Sequence, residues 1–252
     1  MDTEDYMHWS KSSIYLKAVR DGAVSICKST WYKYCNLLGF KKRGSFPLKK
    51  YTSLITTRPN EFWCADVTIF KTSDGVKHYI HFLMDHFSKK ILGFRIEKSN
   101  SAATIKSLLV DALSSCTSKD DIKLLTDGGS ENVNRTVSDL LKMSEINIKQ
   151  LIAQKDIKFS NSMIEALNKV IKHQFLLPLQ LASFKQLLEA LTKAVEVYNN
   201  ERPQQKLGGN TPFETYSGIP IDFSQYSIHF KEQKLARLAQ NKKNTCNFCS
   251  KV

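Results

Sequence analysis

The ten residues EFWCADVTIF, Glu61 to Phe70, decide how this chain is read. Their side chains alternate, with Phe62, Cys64, Asp66, Thr68 and Phe70 on one face and Trp63, Ala65, Val67 and Ile69 on the other. This period of two, together with the β-branched and aromatic content, predicts a strand. Asp66 is the misfit. A carboxylate inside an otherwise apolar strand costs desolvation unless something compensates for it.

Outward from this strand the pattern stays regular. Ser73-Asp74-Gly75 supplies a turn, and Lys77 to Met84 and Lys90 to Glu97 read as two further strands, giving an antiparallel meander. Helix signals follow at Ala102 to Leu113, then a strand at Ile122 to Thr126. A helix near Val133 to Lys142 and a short strand near Ile146 to Leu151 come next, and two longer helices close the region at Ser160 to Leu176 and Phe184 to Asn199. The expectation is an α/β domain over residues 61–218, a mixed five-stranded sheet flanked by helices. Ahead of it, residues 1–43 read as a small helix-turn-helix-like segment. One helix runs from near Ser13 to Arg20, and a second begins at Ser29 or Thr30 with Trp31, Tyr34, Cys35 and Leu38 as its apolar stripe and Gly39 as its stop. Residues 44–60, with Gly44, Pro47 and Pro59, form a linker, and residues 219–252 a basic C-terminal tail.

The formal net charge of +13 directs attention to a polyanionic partner. Between Lys28 and Arg58 stand eight Lys or Arg and no acid, and the bias returns after residue 229. These flanks favour nucleic acid, with Lys33, Lys41, Lys42 and Arg43 as candidate phosphate contacts. No apolar run is long enough to span a bilayer and the N-terminus is acidic and polar, so a soluble, cytoplasmic protein is expected, with no membrane partner. The six cysteines are scattered like reduced thiols rather than a disulfide framework. Cys246 and Cys249 make a lone CxxC without a second ligand pair nearby, which is weak grounds for zinc.

Two more carboxylates join Asp66. Asp127 ends the strand Lys123 to Asp127, and Gly128-Gly129 follow it. Glu165 lies on a helix whose apolar arc, taken as Met163, Leu167, Val170 and Ile171, is centred on the opposite side, so Glu165 falls in a polar stripe with Asn161, Asn168, Lys169 and Lys172. Each has a bland explanation on its own. Together, in a basic protein, they suggest a carboxylate cluster for Mg²⁺ or another hard cation. His78, His81 and His86 read as packing or surface residues, and Asp85 and Ser88 as structural caps of a turn.

The motifs carrying these residues resemble the three signatures of the DDE integrase core, found in insertion-sequence transposases and retroviral integrases: WCADVT around Asp66, TDGGSEN around Asp127 and NSMIEALN around Glu165. MDHFSK from Met84, YNNERP from Tyr198 and LGGNTPFE from Leu207 also resemble the family, so the likeness runs in order from about residue 60 to 218. The resemblance implies a ribonuclease H-like fold and a DNA transposase or integrase that cleaves and joins strands of a mobile element. It implies Asp66, Asp127 and Glu165 as catalytic metal ligands for two Mg²⁺ or Mn²⁺ ions, Asp66 bridging both. It further implies element-end and target double-stranded DNA as partners, a homo-oligomer of two or more copies, and a prokaryotic, nucleoid-associated setting. Lys158, Lys169 and Lys172 would then grip phosphates near the site. Three features depart from the pattern: 37 residues between Asp127 and Glu165, slightly more than is usual, Gln204 where many relatives have His, and a short N-terminal region. These keep a second reading open, a catalytically inactive DNA-binding remnant or regulator that retains the fold. A third is a ribonuclease H-like nuclease without strand transfer.

Overall fold

The structure, a computed structural model, describes residues 9–40, 54–116, 121–127, 148–153 and 161–243. Strand β1 (Phe62–Lys71) is the middle of a five-stranded sheet ordered β3-β2-β1-β4-β5. β2 (Lys77–Asp85) and β3 (Ile91–Glu97) continue from it as the expected antiparallel meander, while β4 (Ile122–Thr126) and β5 (Ile148–Ile152) run parallel to it on the other side. The sheet is therefore mixed, as the alternation of elements implied. The helix expected near Val133 to Lys142 lies outside the described residues, as do Lys41, Lys42, Arg43, Lys158, Cys246 and Cys249.

Each face of β1 feeds a separate core, which is why its alternation is so clean. Trp63 and Ala65 pack with Leu83, Leu124 and helix α3 (Ala102–Ser114) through Ile105, Leu108 and Leu109. Cys64 and Phe70 pack with Ile80, Phe82 and Leu125 beneath helix α4 (Ser162–Val170) and helix α5 (Phe184–Asn200). Asp66 shares this second face. Beyond Val170 the chain continues as a π-helical turn, Ile171–Leu176, in which the buried Gln174 accepts a hydrogen bond of 3.0 Å from the buried Arg202. β3 is an edge strand, and Asn199 covers part of its open backbone. Its side-chain amide pairs with both the N–H and the carbonyl of Ile91, each at 2.9 Å.

At the start of β1 a buried carboxylate fixes the chain entry. Asp85 accepts from the Asn60 amide at 2.8 Å and from the Ser88 amide and hydroxyl at 2.7 and 2.6 Å. Burial pushes its carboxyl above the usual range, and these bonds oppose that rise. Asn60 in turn accepts from the Trp63 indole at 2.9 Å and the Tyr216 hydroxyl at 3.0 Å. Asp85 and Ser88 thus hold the turn that the sequence assigned to them.

A second compact unit gathers described residues from 1–46, 203–210 and 220–252. It contains α1 (Lys11–Arg20), α2 (Lys28–Leu37) and α7 (Ser227–Lys243), the last formed where only a basic tail was expected. Helix α6 (Pro212–Tyr216) belongs with the sheet, and its Thr211–Glu214 capping box and Pro212 explain the NTPFE motif as a helix start. α2 starts two to three residues earlier than the hydroxyl-cap rule suggested, with Cys27 rather than Ser29 or Thr30 as its N-cap. It stops at Gly39 (φ +75°), where the Phe40 and Gly39 amides bond back to the Cys35 and Asn36 carbonyls. Of its apolar stripe only Cys35 is buried. Trp31 is half-buried, and Tyr34 and Leu38 are exposed.

Replacing Asp85 by Ala would strand the Asn60 and Ser88 amides in the interior. A loss on the order of 3 kcal/mol is expected in urea-unfolding free energy. A loss below about 0.5 kcal/mol would show that the carboxylate does not organise the entry to β1.

Candidate active site

The three carboxylates are positioned by three different elements. Asp66 is half-buried in the middle of β1, paired across to Phe82. β4 is registered on β1 by Phe62–Lys123, Trp63–Leu124 and Cys64–Leu125. Asp127 is exposed and directly follows β4, the strand parallel to β1. Glu165 stands exposed in the first turn of α4, where the helix dipole favours a negative charge.

α4 is held to β1 by side-chain amides at its two ends. Asn161 donates to the Ala65 carbonyl at 3.1 Å, and Asn168 donates to the Asp66 carboxylate at 2.8 Å. Asn161 sits at the N-cap position, where its side-chain oxygen would normally cap the helix, yet it makes no such bond because the amide is turned to the strand. Between the two amides the buried positions are Ile164 and Leu167, with Ile171 beyond. The helix is therefore rotated from the arc expected from sequence, which left out Ile164. Asn161 and Asn168 face the sheet rather than an open polar stripe, and the stripe beside Glu165 reduces to exposed Lys169 with half-buried Lys172. Lys172 donates to the Ile69 carbonyl at 2.7 Å. The signal for these amides was present as the spacing 161, 164, 168, 171, a three-and-four repeat that a helix places on one side.

The surroundings narrow the chemistry. Cys64, two residues before Asp66, is fully buried and its thiol is pushed up to about 12, so it offers no thiolate beside the carboxylates. His78, His81 and His86 are buried; His78 bonds Thr72 at 3.0 Å and His86 bonds Thr56 at 3.0 Å. Among the described residues no three or more His, Cys, Asp or Glu converge into a ready metal-binding group. What the site offers is oxygen donors, suited to hard cations. Lys33 is exposed on α2.

Residues 56–164 match a family model described as the integrase core domain, and residues 150–212 match a second model of the same description. The chain belongs to the integrase core family. Its catalogue of relatives includes the putative transposase InsK for insertion sequence element IS150 of Escherichia coli K12, 28% identical over 158 residues, 63% of this chain and 55% of that protein. The transposase for IS629 of Shigella sonnei is 26% identical over 160 residues, 64% of this chain and 53% of that one. The match thus spans about half the length of these curated relatives. Among solved structures, the simian T-cell lymphotropic virus intasome in complex with PP2A regulatory subunit B56 gamma is similar with a TM-score of 0.56 at 16% identity, covering 84% of this chain and 72% of that one. That likeness supports the ribonuclease H-like fold of the family.

The two amides have separable consequences. Asn161→Ala should lower unfolding free energy by about 1 kcal/mol, because the Ala65 carbonyl loses a donor. Asn168→Leu, which removes a buried amide while filling the same space, should leave the thermal midpoint unchanged or raised. A marked fall in that midpoint would mean that the bond to Asp66 serves the fold.

Proposed function

We propose that this chain is a DNA transposase or integrase that performs divalent-metal-dependent strand cleavage and strand transfer, with Asp66, Asp127 and Glu165 as the catalytic metal ligands. The observation that supports this reading is that Asp66 lies on β1 and Asp127 directly follows the parallel neighbouring strand β4, with the Glu165 helix tied to Asp66 through Asn168. The donor set fits Mg²⁺ or Mn²⁺, two ions being the family's arrangement. Bound there, such cations would stabilise negative charge on the attacking and leaving oxygens of an in-line phosphoryl displacement. Asp66 would contribute to both cation sites, and Asp127 and Glu165 to one each. Asn168 fixes the rotation of the Asp66 carboxylate, and Ile164 and Leu167 exclude water from beneath it. No side-chain nucleophile is required, since water, and then the 3′-hydroxyl it exposes, attacks the phosphodiester.

The polyanion is double-stranded DNA, both element ends and target, engaged by a protein of net charge +13. Lys33, Lys41, Lys42, Arg43, Lys158 and Lys169 are proposed phosphate contacts. Lys172 is included with its ammonium shared with the Ile69 carbonyl. Assembly of two or more copies on DNA follows from the need to handle paired ends. No helix among the described residues is long and apolar enough to cross a membrane.

Incubation with element-end DNA and Mn²⁺ should give nicks at the 3′ ends, followed by joined products. Asp66→Asn, Asp127→Asn and Glu165→Gln should each reduce nicking about 100-fold or more. Asn168→Leu should reduce it about tenfold with its thermal midpoint maintained. Undiminished nicking in all three carboxylate variants would sink the assignment. Salt-sensitive DNA binding by the wild type without any nicking would favour a DNA-binding remnant or regulator, and nicking without joining would favour a nuclease.

A further inference from the structure

The unit holding α1, α2 and α7 contains a cavity of about 300 Å³, within the range of ligand sites though at its lower end. Tyr15, Tyr226 and Phe230 line it, with Tyr15 and Phe230 nearly parallel, 19° apart with centroids 6.3 Å from each other. Phe223 also lines it and is 75% exposed. A phenyl ring so open beside an aromatic cavity offers a stacking platform that the described residues leave uncovered. Lys28, at the first position of α2, also lines it and brings a cationic residue to the cavity.

The rim is built rather than loose. Gly208 (φ +66°) lets the Asp222 carbonyl approach so closely that a Cβ there would lie 2.6 Å from it, and a Cβ on Gly209 would strike the Tyr226 ring. Gln225 donates to the Gly208 carbonyl at 2.5 Å, and Asn210 donates to the Pro220 carbonyl at 2.9 Å. Asp222 accepts from the Ser224 amide at 2.7 Å, which turns the chain immediately after Phe223. Gly208 of the LGGNTP motif thus lines this cavity, and Gly209 packs against the Tyr226 ring that also lines it.

We propose that the cavity receives one unstacked nucleobase of a DNA strand, stacked on Phe223 with its flanking phosphate near Lys28. The charge of the unit selects that occupant over a purely apolar one. Its described residues carry eleven Lys and Arg against three Asp and Glu, an electrostatic field for a phosphate backbone. Aromatic platforms in basic surroundings are how proteins hold single strands without reading sequence, because every base presents a π face. The proposal rests on the DNA-processing reading above, and it adds a place for a base that has left the duplex.

The chain carries its own reporter. Cys27 lines the same cavity, and hydrogen bonds with the Ser29 and Thr30 hydroxyls lower its thiol to about 7, so it alkylates at neutral pH. The probe is a short oligothymidylate carrying one central 2-aminopurine, compared with a duplex of mixed sequence. On binding wild-type protein the 2-aminopurine fluorescence should be quenched, and the saturating strand should slow alkylation of Cys27, followed by mass spectrometry. Phe223→Ala should lose the quench and bind the strand about fivefold or more weakly, while Phe223→Trp retains both and duplex binding stays equal in all three proteins. Equal quenching and strand affinity in wild type and Phe223→Ala, or Cys27 alkylation indifferent to the strand, would overturn the pocket while duplex binding left the DNA reading intact. Cys27 protected without DNA and released by deleting residues 244–252 would overturn it in favour of the chain's own tail. Binding of neither DNA by the wild type would end both readings.

Discussion

The hydrogen bond from Asn168 to Asp66 is the constraint on which the rest of the site depends. A carboxylate in the middle of a central strand must be satisfied or expelled, and the neighbouring helix does the satisfying. The same helix is packed through Ile164, Leu167 and Ile171 into the core beneath it, so the angle at which α4 lies on β1 is fixed by apolar contact and its sliding by the two amides. Among the described residues Glu165 makes no side-chain contact of this kind. It is carried over β1 by residues one position before and three after it, and its placement is only as good as theirs.

That arrangement explains what could be read from the sequence. The strand within Glu61 to Phe70 announced itself because each of its faces enters a different core, and so both halves of its alternation are apolar apart from Asp66 and Thr68. β4 was legible to the residue for a related reason: Ile122, Leu124 and Leu125 are buried between neighbouring strands and helices on both sides. The rotation of α4 was not legible from the arc chosen. Counting hydrophobic residues omits the asparagines, and here two asparagines occupy buried positions on the helix. Burial of a polar side chain is a tertiary fact, visible only once its acceptor on another element is in place. The N-cap of α2 was missed for a comparable reason, since Cys27 takes the position that Ser29 and Thr30 advertise while their hydroxyls bond its sulfur.

Several of the motif residues that gave the family resemblance do structural work at some distance from the carboxylates. Asp85 and Ser88 close a turn, Asn199 shields the edge of β3, Arg202 supports the π turn through Gln174, and Thr211 with Glu214 starts a short helix. An ordered set of motifs is therefore stronger evidence for a fold than for a reaction. The catalytic proposal stands on the three carboxylates and on the bond that ties the Glu165 helix to Asp66.

Asn161 and Asn168 expose a tension in that geometry. Each donates one bond to β1, and the side-chain oxygen of each is buried without a hydrogen-bond partner among the described residues. An unmet buried acceptor costs about 1–3 kcal/mol, and a leucine at either position would avoid it. Asn161 offsets the cost by joining a strand carbonyl, which any fold of this kind can use. Asn168 spends its donor on a carboxylate that the fold itself would be better without. A buried amide holding a half-buried acid is difficult to justify as packing, and easy to justify if the acid must be kept in one orientation for a ligand. On the proposed reading, the pair is where local stability yields to a site.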